Sequence, residues 1–442
     1  MENKKLFLGV AQMDITPPVG YWMAGFAARN KPSRMVHDPL CLKVMTLFDG
    51  KKRVAIVNAD LISFSNKFCK MVKDEIKRET GFSESDVFLF ASHTHTGPLI
   101  NENSSYLPDK KYFPEDYRTL LIKKICGGIK EALLREEEVN VFHGEGEASI
   151  GINRRMKTSK GIKMKPNPEG PVDNIVQVLK FQRADGSLAA LIFKACCHPT
   201  TLKEIYEISA DYPGAARREI EKIYPGVSAM FINGCCGDVR PPVVRNGDFI
   251  AGSFSDVERI GKALAREVIK CTEKSEPLKG VSVKSRQIKH CLEFDEGLIP
   301  KNLKHLVELT QKYIKEEPEL TKEIEKWAEK IGIRIDKKEK LPKGVNINIM
   351  TLEVGNFSLA ALPGEVMVEY GLKIRRLTKG KVMVAAYANE DIGYVPTQQA
   401  IKDGGYEAKS FIWEGDTAPY DYGIEAKLIS SVLAILEKQK EK

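Results

Sequence analysis

His93 and His95 are two of seven histidines in the chain and stand two residues apart in Ser92-His93-Thr94-His95-Thr96-Gly97-Pro98. That spacing can present a metal ligand beside an acid–base group, and it equally suits two half-buried imidazoles bonded to backbone. More polar groups follow apolar runs: His198 after Leu188 to Cys197, Glu365 after Phe357 to Leu362, and Tyr394 beyond Val382 to Tyr387. Two imidazole nitrogens, a carboxylate and a further oxygen make a sensible zinc set with an open position for water.

The elements that must position these groups are alternating strands and helices. Val87 to Ala91 reads as a buried strand stopped by Gly97-Pro98, and on extended backbone His93 and His95 would point the same way. Leu42 to Phe48 and Arg53 to Ala59 flank Asp49-Gly50 as a hairpin, and Asn66 to Thr80 is a helix ending at Gly81. Together they form a β-α-β unit feeding the His93 strand. Asp60 closes one strand, either as a turn former or as a group near a metal. Val176 to Phe181 and Leu188 to Cys197 form a second hairpin, leading into His198. Helices are expected over Tyr117–Arg135, Ser209–Tyr224, Phe254–Cys271 and Gly423–Lys438. Strand ends of an α/β sheet are where ligands bind, so these polar groups converge on one candidate site.

Two segments stand apart. From Arg154 to Lys165 there are six basic residues and no acid, which is either a solvated loop or a basic lid over an anionic substrate. Residues 300–342 are dense in Lys and Glu with apolar residues at helical spacing, a charged helical insertion expected to be peripheral. The loop from Asn233 to Pro242 carries Gly234 and Gly237, which would let backbone amides approach a ligand.

The chain has 442 residues, 43% hydrophobic and 29% charged, values of a soluble globular protein able to bury a large core. The net charge of +8 is spread over 68 basic and 60 acidic residues, too dilute for nucleic acid but suited to anionic small molecules. Met1 to Lys5 leads into Leu6 without a signal-peptide pattern, and no stretch approaches the about 20 apolar residues of a membrane span. A cytoplasmic location is expected. Nine cysteines without a CxxC spacing fit reduced thiols.

These motifs resemble the neutral, non-lysosomal ceramidase family, specifically its amino-terminal catalytic domain. The resemblance rests on Asp14-Ile15-Thr16-Pro17, the His93-Thr94-His95 stretch with Gly97-Pro98, Asn153-Arg154, His198-Pro199, Gly237-Asp238-Val239, Pro363-Gly364-Glu365, and Asn389 through Tyr406. It implies an α/β fold of mixed β-sheets flanked by helices; a single such domain over 1–442 is expected, a departure from the longer relatives in lacking their carboxy-terminal immunoglobulin-like domain. It also implies a zinc ion held by His93, His198, Glu365 and Tyr394, with His95, Arg154 and Tyr406 lining the cleft. Arg240 stands where the family has a serine, so no serine nucleophile is available there.

The expected function is then a zinc-dependent amidohydrolase cleaving a small-molecule N-acyl amide by a metal-activated water. Arg154 and Tyr406 would stabilise the oxyanion and His95 would protonate the leaving nitrogen. Arg240, with Arg155 and the basic run, would favour a soluble anionic substrate over ceramide, unless Arg240 is simply paired with Asp238 or another local acid; Asp238 is a further candidate substrate-binding residue. A zinc esterase or lactonase and a non-catalytic ligand-binding homologue are the alternatives. The oligomeric state is not legible.

Overall fold

A computed structural model describes residues 5–101 and 112–438. Met1 to Lys4 of the amino terminus read above lie outside the described residues. The larger sheet has nine strands. Eight of them run in the order Ser228–Asn233, Leu188–Ala195, Ile175–Arg183, Glu137–Glu147, Leu6–Asp14, Cys41–Phe48, Arg53–Ala59, Val87–Ala91. Most neighbours are antiparallel. The two outermost pairs are parallel, Ala55–Ala59 with Val87–Ala91 and Ala190–Ala195 with Ser228–Asn233. Each parallel pair needs a crossover, which the helices Asn66–Thr80 and Asp211–Ile223 supply. Both parallel edges deliver a histidine loop at their carboxyl ends.

A second sheet of four strands has the order Val283–Glu293, Gly344–Val354, Phe357–Ala361, Val382–Ala385. The two sheets pack face to face. Leu6, Leu8, Val54, Ile56, Phe88 and Phe90 of the first meet Met350, Leu352, Leu359 and Met383 of the second. The alternate residues Ala55, Val57, Leu89 and Ala91 turn outward against the helices Asn66–Thr80 and Glu115–Leu134. Helices Asp211–Ile223 and Phe254–Glu273 cover the rest of that face. Val368–Leu377 and Ile424–Lys438 cover the far side of the second sheet. The result is four layers, helix–sheet–sheet–helix. Val87–Ala91 is apolar throughout because both its faces are covered.

The charged insertion sits at the tip of a hairpin, since Val283–Glu293 and Gly344–Val354 pair continuously from Val283–Val354 to Glu293–Gly344. Its helices, Leu303–Glu316 and Thr321–Asp336, bury Tyr313, Trp327 and Ile331 against Phe411 and Ile412. It is therefore a buttress for the segment after Tyr406 rather than a peripheral appendage. Arg154 to Lys165 is not an irregular loop: it lies in the antiparallel hairpin Ile152–Thr158 and Gly161–Asn167. Two of its lysines are spent on ion pairs, Lys163 with Glu319 at 3.1 Å and Lys165 with Asp248 at 2.8 Å.

Candidate metal centre

His93 does not reach the site by strand alternation. The strand ends at Ala91, and His93 takes a left-handed conformation with φ of 66°, a strained value for a non-glycine residue. Its backbone N–H donates to Leu61 O at 2.9 Å, and its Nδ1 donates to Ile62 O at 2.7 Å. His95 Nδ1 donates to Gly25 O at 3.0 Å, and His198 Nδ1 donates to Cys236 O at 3.1 Å. A carbonyl can only accept, so each Nδ1 carries the proton and each Nε2 of the neutral rings presents a bare lone pair.

Those lone pairs face one another. His93 Nε2 lies 3.0 Å from His198 Nε2 and 3.1 Å from His95 Nε2. Glu365 Oε2 lies 3.3 Å from His93 Nε2 and 3.1 Å from His198 Nε2. Two bare imidazole nitrogens cannot hydrogen-bond each other, and Glu365 Oε2 is itself a buried acceptor without a donor. A cation resolves all of these contacts. Donors about 2.0–2.1 Å from a tetrahedral zinc are about 3.3 Å apart, close to the observed separations. The donor set fits zinc, with His93, His198 and Glu365 as the mutually close three. His95 adjoins His93 at the edge of this triangle, and the three histidines together form one buried group able to hold a metal ion.

Burial favours the neutral form of His95 and His198. Burial pushes His95 well below its ordinary value, reinforced by the neighbouring His93 and His198. Burial lowers His198 to about 4. Burial alone would raise Glu365, yet His93 and His198 hold its carboxyl well below the usual range.

Glu365 is delivered by the turn Pro363-Gly364, where Gly364 has φ of 76° and any Cβ would meet Gly393 O at 2.6 Å. Glu365 pairs with Tyr394 across a two-residue parallel bridge. The Tyr394 ring stacks on His198 with centroids 6.4 Å apart. Gly237 admits no ligand: its Cβ position is 2.5 Å from Glu365 O, so that glycine serves close backbone packing behind the carboxylate. Likewise Gly234 lies against Lys194 and the Cys196 Sγ.

Arg154 lies over both Tyr394 and Tyr406, 5.3 and 5.5 Å from their ring centroids. Its Nε donates to Glu407 at 2.8 Å, and its Nη2 is buried without a partner. Tyr406 is 43% exposed, at the edge of the cleft, and stacks on Trp413 at 4.7 Å. Arg155 is committed elsewhere, to Glu407 and to the Gly404 carbonyl at 2.8 Å. Asp238 is an internal brace rather than a free substrate ligand, accepting from Asn153 Nδ2 at 2.9 Å and Val368 N at 2.8 Å. The pairing of Arg240 with Asp238 is absent, and the Arg240 guanidinium lies 4.7 Å from the Phe249 ring centroid. Asp60 accepts from Arg217 at 2.6 Å in a buried ion pair, so it anchors the loop before His93 from behind.

Two contributors escaped sequence reading. Tyr387, with φ of 55°, packs its ring 4.2 Å from His93 and places its hydroxyl 3.3 Å from His198 Nδ1. The only hint was its position as the last residue of an apolar run. Glu407 bridges two arginines some 250 residues earlier, which no local pattern records.

The fold and the site define a four-layer α/β protein with a buried histidine–carboxylate cluster, able to hold a metal ion, at the carboxyl ends of its parallel strands. The chain belongs to the neutral/alkaline non-lysosomal ceramidase family, whose N-terminal region matches residues 6–261. That match takes in His93, His95, Arg154, His198 and Arg240 and stops short of Glu365, Tyr394 and Tyr406. The neutral ceramidase of Pseudomonas aeruginosa is 26% identical over 220 residues, 47% of this chain and 32% of that protein. The crystal structure of neutral ceramidase from Pseudomonas aeruginosa shares the fold, with a TM-score of 0.72 at 20% identity over 99% of this chain and 75% of that one. A ceramidase complexed with C2 matches with a TM-score of 0.73 at 19% identity, over 99% and 76% of the two chains. Among the described residues, no helix is long and apolar enough to cross a membrane.

Proposed function

We propose that the protein is a zinc-dependent amidohydrolase that cleaves an N-acyl amide bond. The observation carrying this reading is the buried convergence of bare imidazole nitrogens and Glu365 Oε2 at 3.0–3.3 Å, each ring locked by a backbone carbonyl. His93, His198 and Glu365 would hold the ion, with Tyr394 beside them. Zinc bound there supplies a Lewis acid and a water whose pKa falls toward ~7.

The chain's own residues supply the rest. Arg154 keeps a buried, unpartnered Nη2 in the cleft while Glu407 fixes the guanidinium, a donor arranged for a developing oxyanion. Removing one donor of this kind costs about 10²–10³ in rate. Tyr406, held on Trp413 at the edge of the cleft, is the second candidate for that role. His95 holds its Nδ1 proton against Gly25 O, leaving Nε2 free to take up a proton and pass it to the leaving nitrogen.

The test is hydrolysis of a panel of N-acyl amides and matched esters by protein stripped with chelator and then restored with zinc. Amine release that needs the metal and falls at least about 100-fold in Arg154→Ala supports the reading. Turnover that ignores the metal defeats it.

A further inference from the structure

Arg240 is 9% exposed, and among the described residues its guanidinium forms no ion pair. Its one hydrogen-bond acceptor among the described residues is Met164 Sδ at 3.9 Å, and one face lies over the Phe249 ring at 4.7 Å. Every other buried arginine of this region has a partner able to accept from it. Arg154 and Arg155 share Glu407, and Arg29 donates to backbone carbonyls including Ile205 O at 2.8 Å. Glu204 acts on Arg240 only through its field and is exposed. A buried cation without a carboxylate is costly to keep, so its retention asks for an anion that comes and goes.

Its place is beside the metal centre. Val239 O accepts from His198 N at 3.0 Å, so Arg240 is the residue directly after a metal-ligand support. The register pairs Val239 with Asn153 and Arg240 with Ile152, which sets Arg240 diagonal to Arg154. Arg154 in turn has its buried, unpartnered Nη2. The two guanidiniums repel, and that neighbour together with burial lowers Arg240 to about 10, still fully charged at neutral pH.

We infer that Arg240 forms a carboxylate subsite of the metal cleft, and that the substrate is an N-acyl compound bearing a carboxylate, such as an N-acyl amino acid. This rests on the amidohydrolase reading for the reaction but not for the binding. A planar fork pairs bidentately with a carboxylate, and a single uncompensated guanidinium matches a monoanion rather than a phosphate dianion. Phe249 and Met164 hold the fork in place and keep water from one side of it.

The experiment compares N-octanoylglycine, its neutral amide N-octanoylglycinamide, and the phosphonate N-octanoylaminomethylphosphonate. The zinc-restored wild type is expected to favour the glycine over the glycinamide by about 100-fold in kcat/KM, carried mainly by KM. Arg240→Gln should reduce that ratio to near one, and Arg240→Lys, which keeps charge but loses the fork, should give an intermediate ratio. Equal losses on both substrates, or a preference for the phosphonate, overturn the inference. Binding of N-octanoylglycine to chelator-treated protein, by calorimetry, reads the subsite without turnover. At least about tenfold weaker binding by Arg240→Gln supports it even if no amide is cleaved, and unchanged binding overturns it. Melting curves identify a collapsed variant: a large drop for Arg240→Gln would make Arg240 a structural brace and overturn the inference as well.

Discussion

Gly25→Ala is the sharpest test of how His95 is held. Gly25 has φ of 100°, and a Cβ built there would stand 2.5 Å from His95 Nδ1, 2.6 Å from Cγ and 2.7 Å from Cβ. Ordinary contact distances of about 3.5 Å require the ring to withdraw by about 1 Å. The same substitution also costs about 1–2 kcal/mol because an L side chain is strained at that φ. Misplacing a reacting group by about 1 Å lowers rate about 100-fold. His93, His198 and Glu365 are untouched, so the variant should keep its zinc while kcat on an N-acyl amide falls by that factor. The assay is turnover by zinc-restored protein beside elemental analysis of the same samples. Undiminished kcat would refute the proton-carrying role of His95. Loss of zinc would refute it differently, by making His95 an obligatory ligand.

Other expectations concern the supports. Glu407→Gln leaves Arg154 and Arg155 as buried cations without a counter-charge and should lower stability by about 3–5 kcal/mol in denaturant titration. The two arginines outweigh burial and hold the Glu407 carboxyl below its ordinary value. Its contribution is therefore present above the unfolded carboxylate range near ~4.3 and lost as pH falls through the lower folded value, so wild type and variant should converge in acid. Asp173→Asn strands the buried Lys194, 2.6 Å away, and should cost a similar amount. The double change Asp173→Asn with Lys194→Met should recover most of it, read by the same titration. Trp413→Ala removes the ring stacked on Tyr406 and should reduce kcat up to about tenfold without metal loss, from a stacking contribution of about 0.5–1.5 kcal/mol.

Much of this was legible in local patterns. The near-continuous apolar runs Val54–Ala59 and Val87–Ala91 mark strands with covered faces, and polar groups appearing just past such strands mark the site. His93, His95, His198, Glu365 and Tyr394 stood out for that reason, whereas the division of these into metal ligands and cleft groups came only from the family resemblance. What could not be read is conformational or long-range. The left-handed turn at His93 carries no signal in a histidine. Arg155 and Asp238 looked like free cleft groups because their partners, Glu407 and Val368, lie far along the chain. The basic run from Arg154 reads as a loop by charge alone, whereas its hairpin is held by cross-strand pairing and by Glu319 and Asp248.

His93, His198 and Glu365 are proposed to hold one metal ion together. Elemental analysis of zinc-restored wild type beside His93→Ala, His198→Ala and Glu365→Ala tests it directly. About one zinc per chain is expected in the wild type and far less in all three variants. Zinc absent from the restored wild type, or retained in the variants, would contradict it.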